Sequence, residues 1–219
     1  MIYESIRKQV VEAILEAAEQ KLIHGTSGNI AMRDSEKRNI VAITPSGIPY
    51  NRMTAEEIAV VEMKEDGTNE WIDGPYKPSS ELPMHTAVLR ARADVNATVH
   101  THSMFATIMA MGDEAGLLAI TPPHCEFTPV GIVPFVMPGS DDIAARVLEA
   151  IGERGRTCLL KNHGMFSCGT DMTSAMHAAV YTEEMAQTAY YARLLGIFEP
   201  MPEEAERRMK ELLAVGRSV

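Results

Sequence analysis

The sequence predicts an α/β fold of three layers, in which a mixed or largely antiparallel central sheet is covered by helices on both faces. Segments whose apolar residues recur at helical spacing alternate along the chain with short, apolar extended segments, and this alternation is typical of a sheet between helical layers. The 219 residues, 46% of them hydrophobic, are enough for one large core. No Pro/Gly/Ser-rich linker, repeat or low-complexity tract divides the chain. We therefore expect one domain, residues 1–219.

The helical patterns are distributed along the whole sequence. Apolar residues from Ile2 to Leu15 recur at helical spacing and predict a first helix that stops near Gly25. Thr54 and Glu57 have the spacing of a capping box, which predicts the start of a short helix. Further helical patterns cover residues 81–93, 103–111, 140–153 and 173–195, and the last one starts at about 202.

Extended segments fill the intervals between these helices. Two are predicted at about 28–33 and 39–44, and the segments VVEM and NEWI flank an Asp66-Gly67 turn, which predicts a hairpin. The later strands are predicted in the segments NATVHTH (96–102), GLLAI (116–120), IVPFVM (132–137) and TCLLKNHGMFSC (157–168).

The composition argues against several classes of protein. The net charge is −10 and the pI about 5.2, with 5% aromatic residues and no Lys/Arg block, so we expect neither a nucleic-acid partner nor a membrane partner. Charges interrupt the apolar pattern at the N-terminus, and no apolar run is long enough for a membrane span. Cys125, Cys158 and Cys168 are too few and too scattered for a disulfide framework. These features predict a soluble, cytoplasmic protein that acts on small molecules.

The segment VHTHS contains two histidines one residue apart. In a strand, residues i and i+2 lie on the same face, so His100 and His102 are expected to point together. Two imidazoles on one face can bind a metal, although two satisfied polar residues near a sheet end would have the same spacing. A catalytic metal site commonly has three protein ligands. The segment LLKNHGMF offers His163, where an apolar strand meets a glycine.

The segment KPSSELPMH adds a carboxylate at the predicted start of a helix. Ser79 and Ser80 precede Glu81, and Pro83 is tolerated in the first helical turn. A purely structural interpretation is that Ser80 caps the helix and Glu81 interacts with the positive end of its dipole. Glu81 and His85 also have the i, i+4 spacing of a metal-binding pair, and both alternatives remain open at this point.

Two further loops combine glycine with hydroxyl or amide side chains. GTSGN (25–29) and ITPSGIP (43–49) could offer backbone N–H groups to a phosphate without a lysine. Neither has the spacing of a P-loop or of a dinucleotide-binding fingerprint. Taken alone, each would be interpreted as an ordinary turn.

Together and in this order, the five motifs resemble the class II aldolase and adducin-head family, which includes L-fuculose-1-phosphate aldolase and L-ribulose-5-phosphate 4-epimerase. The resemblance extends from the first helix to the one predicted at 173–195. It implies that His100, His102 and His163 hold one divalent metal ion per subunit, usually zinc, with manganese and cobalt as alternatives. It also implies that Glu81 donates and accepts the proton and can bind the metal when no substrate is present.

The family's phosphate-binding positions match Thr26, Asn29, Ser46, Gly47, Ser79 and Ser80. The implied activity is reversible cleavage of a ketose 1-phosphate, fuculose-phosphate-like or deoxypentulose-phosphate, to dihydroxyacetone phosphate and an aldehyde. A metal ion would stabilise the enediolate left by the cleavage. The resemblance further implies a homotetramer with active sites at subunit boundaries.

Some residues discriminate within the family, and others depart from it. The epimerases have Asp where this chain has Glu81, so the glutamate favours an aldolase. A family tyrosine is absent from TPPHCEFTPVG, and the tail AVGRSV has no tyrosine either. His124 is a candidate substitute acid, with a polar surface residue as the alternative. The competing activities are a 4-epimerase, a 3-oxo-tetronate-phosphate decarboxylase and a methylthioribulose-phosphate dehydratase, and the non-enzymatic alternative is an adducin-like binding module.

The remaining polar candidates are interpreted as structural. His24 lies at the end of the first helix, where the dipole accounts for it, and His177 lies among alanines and methionines in a helical pattern. Glu183 and Glu184 match no catalytic role, and Lys161 is expected to be solvated.

Overall fold

The computed structural model describes residues 1–112 and 116–215, and its centre is an eight-stranded sheet. The strands are β1 (Asn29–Arg33), β2 (Ile40–Ile43), β3 (Ala59–Met63), β4 (Asn69–Asp73), β5 (Ala97–Thr101), β6 (Gly131–Val133), β7 (Thr157–Leu160) and β8 (Gly164–Gly169). The α-helices of the described residues are α1 (Glu4–Glu19), α2 (Leu82–Ala91), α3 (Met104–Ala110), α4 (Asp141–Ile151), α5 (Met172–Leu194) and α6 (Glu203–Ala214).

The sheet is mixed but largely antiparallel, as the sequence predicted. Its strand order is β4-β3-β2-β1-β5-β8-β7-β6, and only the β6–β7 pair is parallel. In the central ladder Asn29 of β1 lies opposite His100 of β5, and His100 lies opposite Phe166 of β8. Residues opposite each other in a ladder share a face. The register therefore sets Asn29 and His100 side by side.

Two hydrophobic cores, one on each face of the sheet, confirm the three layers. The first core contains residues of α1, α3 and α5, and the second contains residues of α2 and α4. Strand β2 contributes to both, because Ile40 and Ala42 belong to the first core and Val41 and Ile43 to the second. This alternation is the two-residue period of a strand whose faces are both covered.

Most of the predicted elements are present. The helix predicted to stop near Gly25 ends earlier, at Glu19, because the chain turns away where Lys21 adopts a left-handed φ of 61°. The β3–β4 hairpin is confirmed, and the capping box of Thr54 and Glu57 opens a short 3-10 turn, Ala55–Glu57.

Three strand predictions were wrong in extent or type. The GLLAI segment forms only an isolated bridge between Leu117 and Val130. The next strand is shorter than predicted and ends at Val133, because Pro134 has no N–H group for the ladder. The segment 157–168 forms two antiparallel strands, β7 and β8, joined by a turn in which Asn162 has a φ of 55°.

No helix in residues 1–112 and 116–215 combines the length and apolar character that a membrane span needs. Cys125, Cys158 and Cys168 are all free and buried.

Candidate active site

The five sequence motifs converge at one end of the sheet. Strand β5 ends at this end of the sheet, and because β1 and β8 are antiparallel to β5, both of them begin there. Strand β2, antiparallel to β1, also ends there. Four loops therefore meet at this end of the sheet: the loop before β1, the loop after β2, the loop after β5 and the turn that joins β7 to β8.

Two glycines allow these loops to approach β5 closely. Gly28 has a φ of 86°, and a Cβ at this position would lie 2.7 Å from the carbonyl oxygen of His100. A Cβ at Gly164 would overlap the carbonyl oxygen of Thr101. Gly28 of GTSGN and Gly164 of KNHG are therefore required by the close packing of the first loop and of the β7–β8 turn against β5.

Glu81 and the three predicted histidines form a compact cluster. One ligand atom from each of Glu81, His100, His102 and His163 lies within 4.8 Å of all the others. Nε2 of His100 is 3.0 Å from Nε2 of His102 and 3.2 Å from Oε2 of Glu81. Oε1 of Glu81 is 3.2 Å from Nε2 of His163. Four potential ligands thus face one small volume.

The donor set fits a divalent cation. Nδ1 of His100 lies 2.8 Å from the carbonyl oxygen of Met165, which accepts its proton and leaves the Nε2 lone pair facing the cluster. Burial and the neighbouring imidazoles lower the pKa of His102 to about 4, so this ring is in the neutral, metal-binding form at pH 7. Buried Oε1 of Glu81 and buried Nδ1 of His163 have no hydrogen-bond partner among the described residues. A cation would satisfy the carboxylate oxygen, and three imidazoles with a carboxylate are ligands typical of zinc.

Glu81 is ionised in this setting. Burial alone would raise the pKa of its carboxyl group, but the interactions with His100, His163 and Asn29 hold that pKa below its usual range. Nδ2 of Asn29 donates to Oε2 at 2.9 Å. The side chain of Glu81 is thus held by a hydrogen bond from β1 as well as by the cluster.

His85 does not belong to the cluster, so its proposed pairing with Glu81 as a metal ligand was wrong. Its ring nitrogens contact Oδ1 of Asn29 and Oγ1 of Thr98, at 2.5 and 2.7 Å. The i, i+4 spacing does place His85 one turn after Glu81, but the ring turns toward β1 and β5.

A cavity of about 290 Å³ opens beside the cluster. Its lining includes Glu81, His102 and His163, together with every residue predicted to bind phosphate: Thr26, Asn29, Ser46, Gly47, Ser79 and Ser80. None of the described residues that line this cavity is Lys or Arg. An anion in this cavity would be bound by hydroxyl, amide and backbone N–H groups and by any cation in the cluster.

Backbone pairing and a buried tyrosine hold the loops around the cavity. The backbone N–H of Ser79 donates to the carbonyl oxygen of Thr44 at 3.1 Å, which ties the start of α2 to the end of β2. The hydroxyl of Tyr50 donates to the carbonyl oxygen of Gly28 at 2.5 Å, and burial raises the pKa of Tyr50 to about 12. Sequence reasoning did not identify this role of Tyr50, although ITPSGIPY ends on it.

The start of α2 differs from the capping arrangement that the sequence suggested. Oγ of Ser79, not of Ser80, accepts a hydrogen bond from a backbone N–H, that of Glu81 at 3.2 Å. Ser80 is exposed and lines the cavity. The interpretation of Ser80 as the helix cap was therefore wrong, because Glu81 itself occupies the cap position of α2.

His124 lies outside this cavity. It is fully buried, and its Nδ1 accepts hydrogen bonds from the N–H groups of Ile120 and Thr121 at 3.3 and 3.2 Å. Its Nε2 lies 2.5 Å from Oε2 of Glu184. Both ring nitrogens thus stabilise the 3-10 turn Pro122–Glu126. The alternative of a polar surface residue was wrong, and the role of His124 as a substitute acid stays a prediction.

Glu183 has a structural role that the sequence did not reveal. Its two carboxylate oxygens accept hydrogen bonds from the N–H groups of Phe105 and Ala106, at 2.9 and 2.7 Å. These donors belong to the first turn of α3, whose cap residue Ser103 makes no capping side-chain bond. Because α3 starts two residues after His102, Glu183 fixes the chain on that side of the cluster.

A larger cavity lies elsewhere. It has a volume of about 640 Å³ and is lined by parts of α4, α6 and the segment before β7. Arg156 lines it and directly precedes β7, whereas His163 follows β7, so the two cavities lie toward opposite ends of this strand. It contains none of the cluster residues.

A sequence model of the class II aldolase and adducin N-terminal domain family matches residues 8–190. The chain belongs to this family. It is 33% identical to the 5-deoxy-D-ribulose 1-phosphate aldolase of Bacillus thuringiensis serovar kurstaki, over 99% of this chain and 100% of that protein. It is also 33% identical to the L-fuculose phosphate aldolase of Methanococcus maripaludis, over 78% of this chain and 89% of that protein.

The fold agrees with this family. A solved structure described as L-fuculose 1-phosphate aldolase superposes with a TM-score of 0.88 and 26% identity, covering 98% of each chain. The resemblance of the five motifs to class II aldolases is thereby confirmed along the length of the chain.

Proposed function

We propose that this protein is a metal-dependent class II aldolase that reversibly cleaves a ketose 1-phosphate to dihydroxyacetone phosphate and an aldehyde. The observation that carries the proposal is the cluster of three imidazoles and one carboxylate on the wall of a cavity with hydroxyl- and glycine-rich loops. The names of the relatives support a 5-deoxypentulose 1-phosphate or a fuculose-phosphate-like sugar as substrate.

The metal in this proposal is zinc, held by His100, His102 and His163, with Glu81 as an additional ligand when no substrate is bound. When bound, the cation supplies Lewis-acid stabilisation of the negative charge that develops on the ketose oxygens as the carbon–carbon bond breaks. The chain provides the three imidazoles, of which that of His100 is fully buried.

Glu81 moves the proton in this mechanism. In cleavage, the Glu81 carboxylate takes the proton of the C4 hydroxyl, the C3–C4 bond breaks, an aldehyde forms at C4, and the bonding electron pair stays with the C1–C3 half. Glu81, now protonated, gives that proton to C3, which completes dihydroxyacetone phosphate, and in condensation the carboxylate removes the proton from C3 and returns it to the C4 oxygen. Oε1 suits this role because the nitrogen it faces, Nε2 of His163 at 3.2 Å, is a proposed metal ligand, whereas Oε2 is held by the NH2 group of Asn29.

The phosphate lies, in this proposal, among Thr26, Asn29, Ser46, Gly47, Ser79 and Ser80. Hydroxyl groups and the backbone N–H groups of glycine-containing turns can bind an anion without a basic side chain. The start of α2, directly after Glu81, adds the positive end of a helix dipole on that side of the cavity.

The proposal extends to the whole molecule as one domain in a cytoplasmic homotetramer with active sites at subunit boundaries. A single sheet that includes all eight strands supports one domain, and three free cysteines are consistent with a reducing compartment. Several large apolar side chains near the end of α5 are 48 to 69% exposed, which supports association: Tyr191, Leu194, Leu195 and Ile197. Sedimentation velocity gives the assembly directly, and a stable monomer would contradict the tetramer.

The experiment that tests the proposed activity is a product analysis. Purified protein is incubated with 5-deoxyribulose 1-phosphate and L-fuculose 1-phosphate, with and without chelator, and dihydroxyacetone phosphate is measured by a coupled assay. Chelator-sensitive release is expected. An epimerised sugar, carbon dioxide or a dehydrated product would instead assign the epimerase, decarboxylase or dehydratase reaction. Absence of bound metal, turnover and phosphate binding would favour a binding module.

A further inference from the structure

We propose that His85 is a positioning residue, which fixes the side-chain amide of Asn29 so that its NH2 group holds one oxygen of Glu81 and leaves the other free for proton transfer. The geometric part of this inference stands on contacts alone. Its kinetic part rests on the proposed function.

The contacts form one continuous chain of buried polar groups. His85 is 0% exposed and lies on α2, one turn after Glu81. Oγ1 of Thr98 is 2.7 Å from Nδ1 of His85, whose Nε2 is 2.5 Å from Oδ1 of Asn29. Nδ2 of Asn29 is 2.9 Å from Oε2 of Glu81. This series of hydrogen-bonded groups links β5, α2 and β1 to the cluster.

The chemistry of the groups allows only one direction for these hydrogen bonds. The carboxylate of Glu81 can only accept, so Asn29 must present its NH2 group there and its carbonyl oxygen to His85. That oxygen needs a donor, which makes Nε2 the protonated nitrogen of the ring. A neutral imidazole has a single N–H, so Nδ1 must accept, and the hydroxyl of Thr98 donates to it.

The neutral state of the ring agrees with its surroundings. Burial lowers the pKa of His85 to about 3, so the ring is uncharged at neutral pH. The ring also packs against Phe166, with 5.4 Å between ring centroids. A buried histidine that both packs and donates in one fixed tautomer defines the amide orientation of Asn29.

The consequence is a difference between the two oxygens of Glu81. Oε2 accepts from Asn29, whereas Oε1 faces Nε2 of His163 at 3.2 Å, and that nitrogen belongs to the proposed metal ligands. Without the donor at His85, the amide of Asn29 could rotate and turn its carbonyl oxygen toward the carboxylate. Glu81 would then lose its anchor and face a repulsive dipole.

Two substitutions of His85 separate the donor from the bulk of the ring. In His85→Gln, the side-chain NH2 group can reach the position of Nε2 and keeps a hydrogen-bond donor there. In His85→Phe, the aromatic ring is kept but the N–H donor is lost. With zinc bound in both variants, we expect His85→Phe to lower kcat at least tenfold, or about 1.4 kcal/mol of barrier, and His85→Gln to remain within about threefold of the original protein. Equal kcat values in the two variants would overturn the proposal.

A second readout needs no turnover. In the zinc-loaded protein, 15N NMR of labelled histidine is expected to show a neutral His85 ring protonated at Nε2 only. In Thr98→Val, which removes the hydroxyl but leaves Asn29 and Glu81 in place, the ring is expected to keep this tautomer, because Asn29 and Glu81 set it. An Nδ1-protonated ring, in the original protein or in Thr98→Val, would overturn the proposal, and this readout holds even if His85→Phe fails to fold. Absence of aldolase turnover with the expected tautomer would refute the proposed activity and leave the positioning geometry standing.

Discussion

At the scale of single residues, the site depends on side chains whose protonation states are set by their neighbours. His100 donates from Nδ1 to the carbonyl oxygen of Met165, and the pKa of His102 is lowered mainly by burial. Both effects leave Nε2 lone pairs available to a cation. The ligand function and the proton-transfer function are therefore separable by substitution.

Replacement of Glu81 by Gln tests the proton-transfer function. Gln keeps the shape of the side chain and an oxygen for Asn29 but cannot exchange a proton, so we expect bound metal to remain and turnover to fall more than tenfold, or about 1.4 kcal/mol. Glu149→Gln, at a side chain that is 74% exposed, is the control. A loss of less than tenfold would remove Glu81 from this role.

Replacement of His102 by Ala tests the ligand set. Removal of one of three imidazoles should abolish most metal binding, as measured by elemental analysis after dialysis. The control is His177→Ala, at an exposed histidine on α5 that contacts the ring of Tyr181 instead of the cluster. Full retention of metal in His102→Ala would show that the ligands are different.

At the scale of elements, the β7–β8 turn determines whether His163 reaches the cluster. We expect Gly164→Ala to displace this turn, because the added Cβ would overlap the carbonyl oxygen of Thr101. Zinc affinity and the midpoint of thermal unfolding should both fall. Gly131→Ala in β6 is the matched control, since its Cβ would meet nothing closer than an atom at 4.0 Å. Equal zinc affinity in the two variants would contradict this account of the turn.

The elements also show which local patterns could be predicted from sequence. The H-x-H pair was interpretable because strand periodicity alone places His100 and His102 on one face. The division of residues 157–168 into two strands was not, because the turn depends on Asn162 adopting a left-handed conformation. The roles of His85 and Glu183 were missed because their partners, Asn29 and the first turn of α3, are distant in sequence.

At the scale of the whole molecule, the site combines residues that only the sheet topology brings together. Asn29, Glu81, His100 and His163 meet because β1, β5 and β8 are neighbours in antiparallel order. The sequence predicted the three layers from alternating patterns, but it did not determine the strand order. Recognition of five ordered motifs, and not periodicity, brought these residues into one predicted site.

The buried polar network makes stability depend on pH. The pKa of His85 is about 3 when folded, below its ordinary value of 6.5, so between these values the unfolded chain binds the extra proton. The unfolding free energy should therefore fall as the pH drops from 6.5 toward 3, by up to about 1.4 kcal/mol per pH unit from this group. Denaturant unfolding of metal-free His85→Gln should show a shallower decline than the original protein. Equal slopes would mean that His85 is protonated in the fold.

The central claim is that the cluster binds one metal ion and that this ion enables aldol cleavage. The most direct measurement is a titration of metal-free protein with zinc, in which bound metal and release of dihydroxyacetone phosphate from 5-deoxyribulose 1-phosphate are followed in the same samples. We predict no release without metal, and release that rises with bound zinc and saturates at one ion per chain. Release by the metal-free protein, or none from the fully loaded protein, would contradict the account.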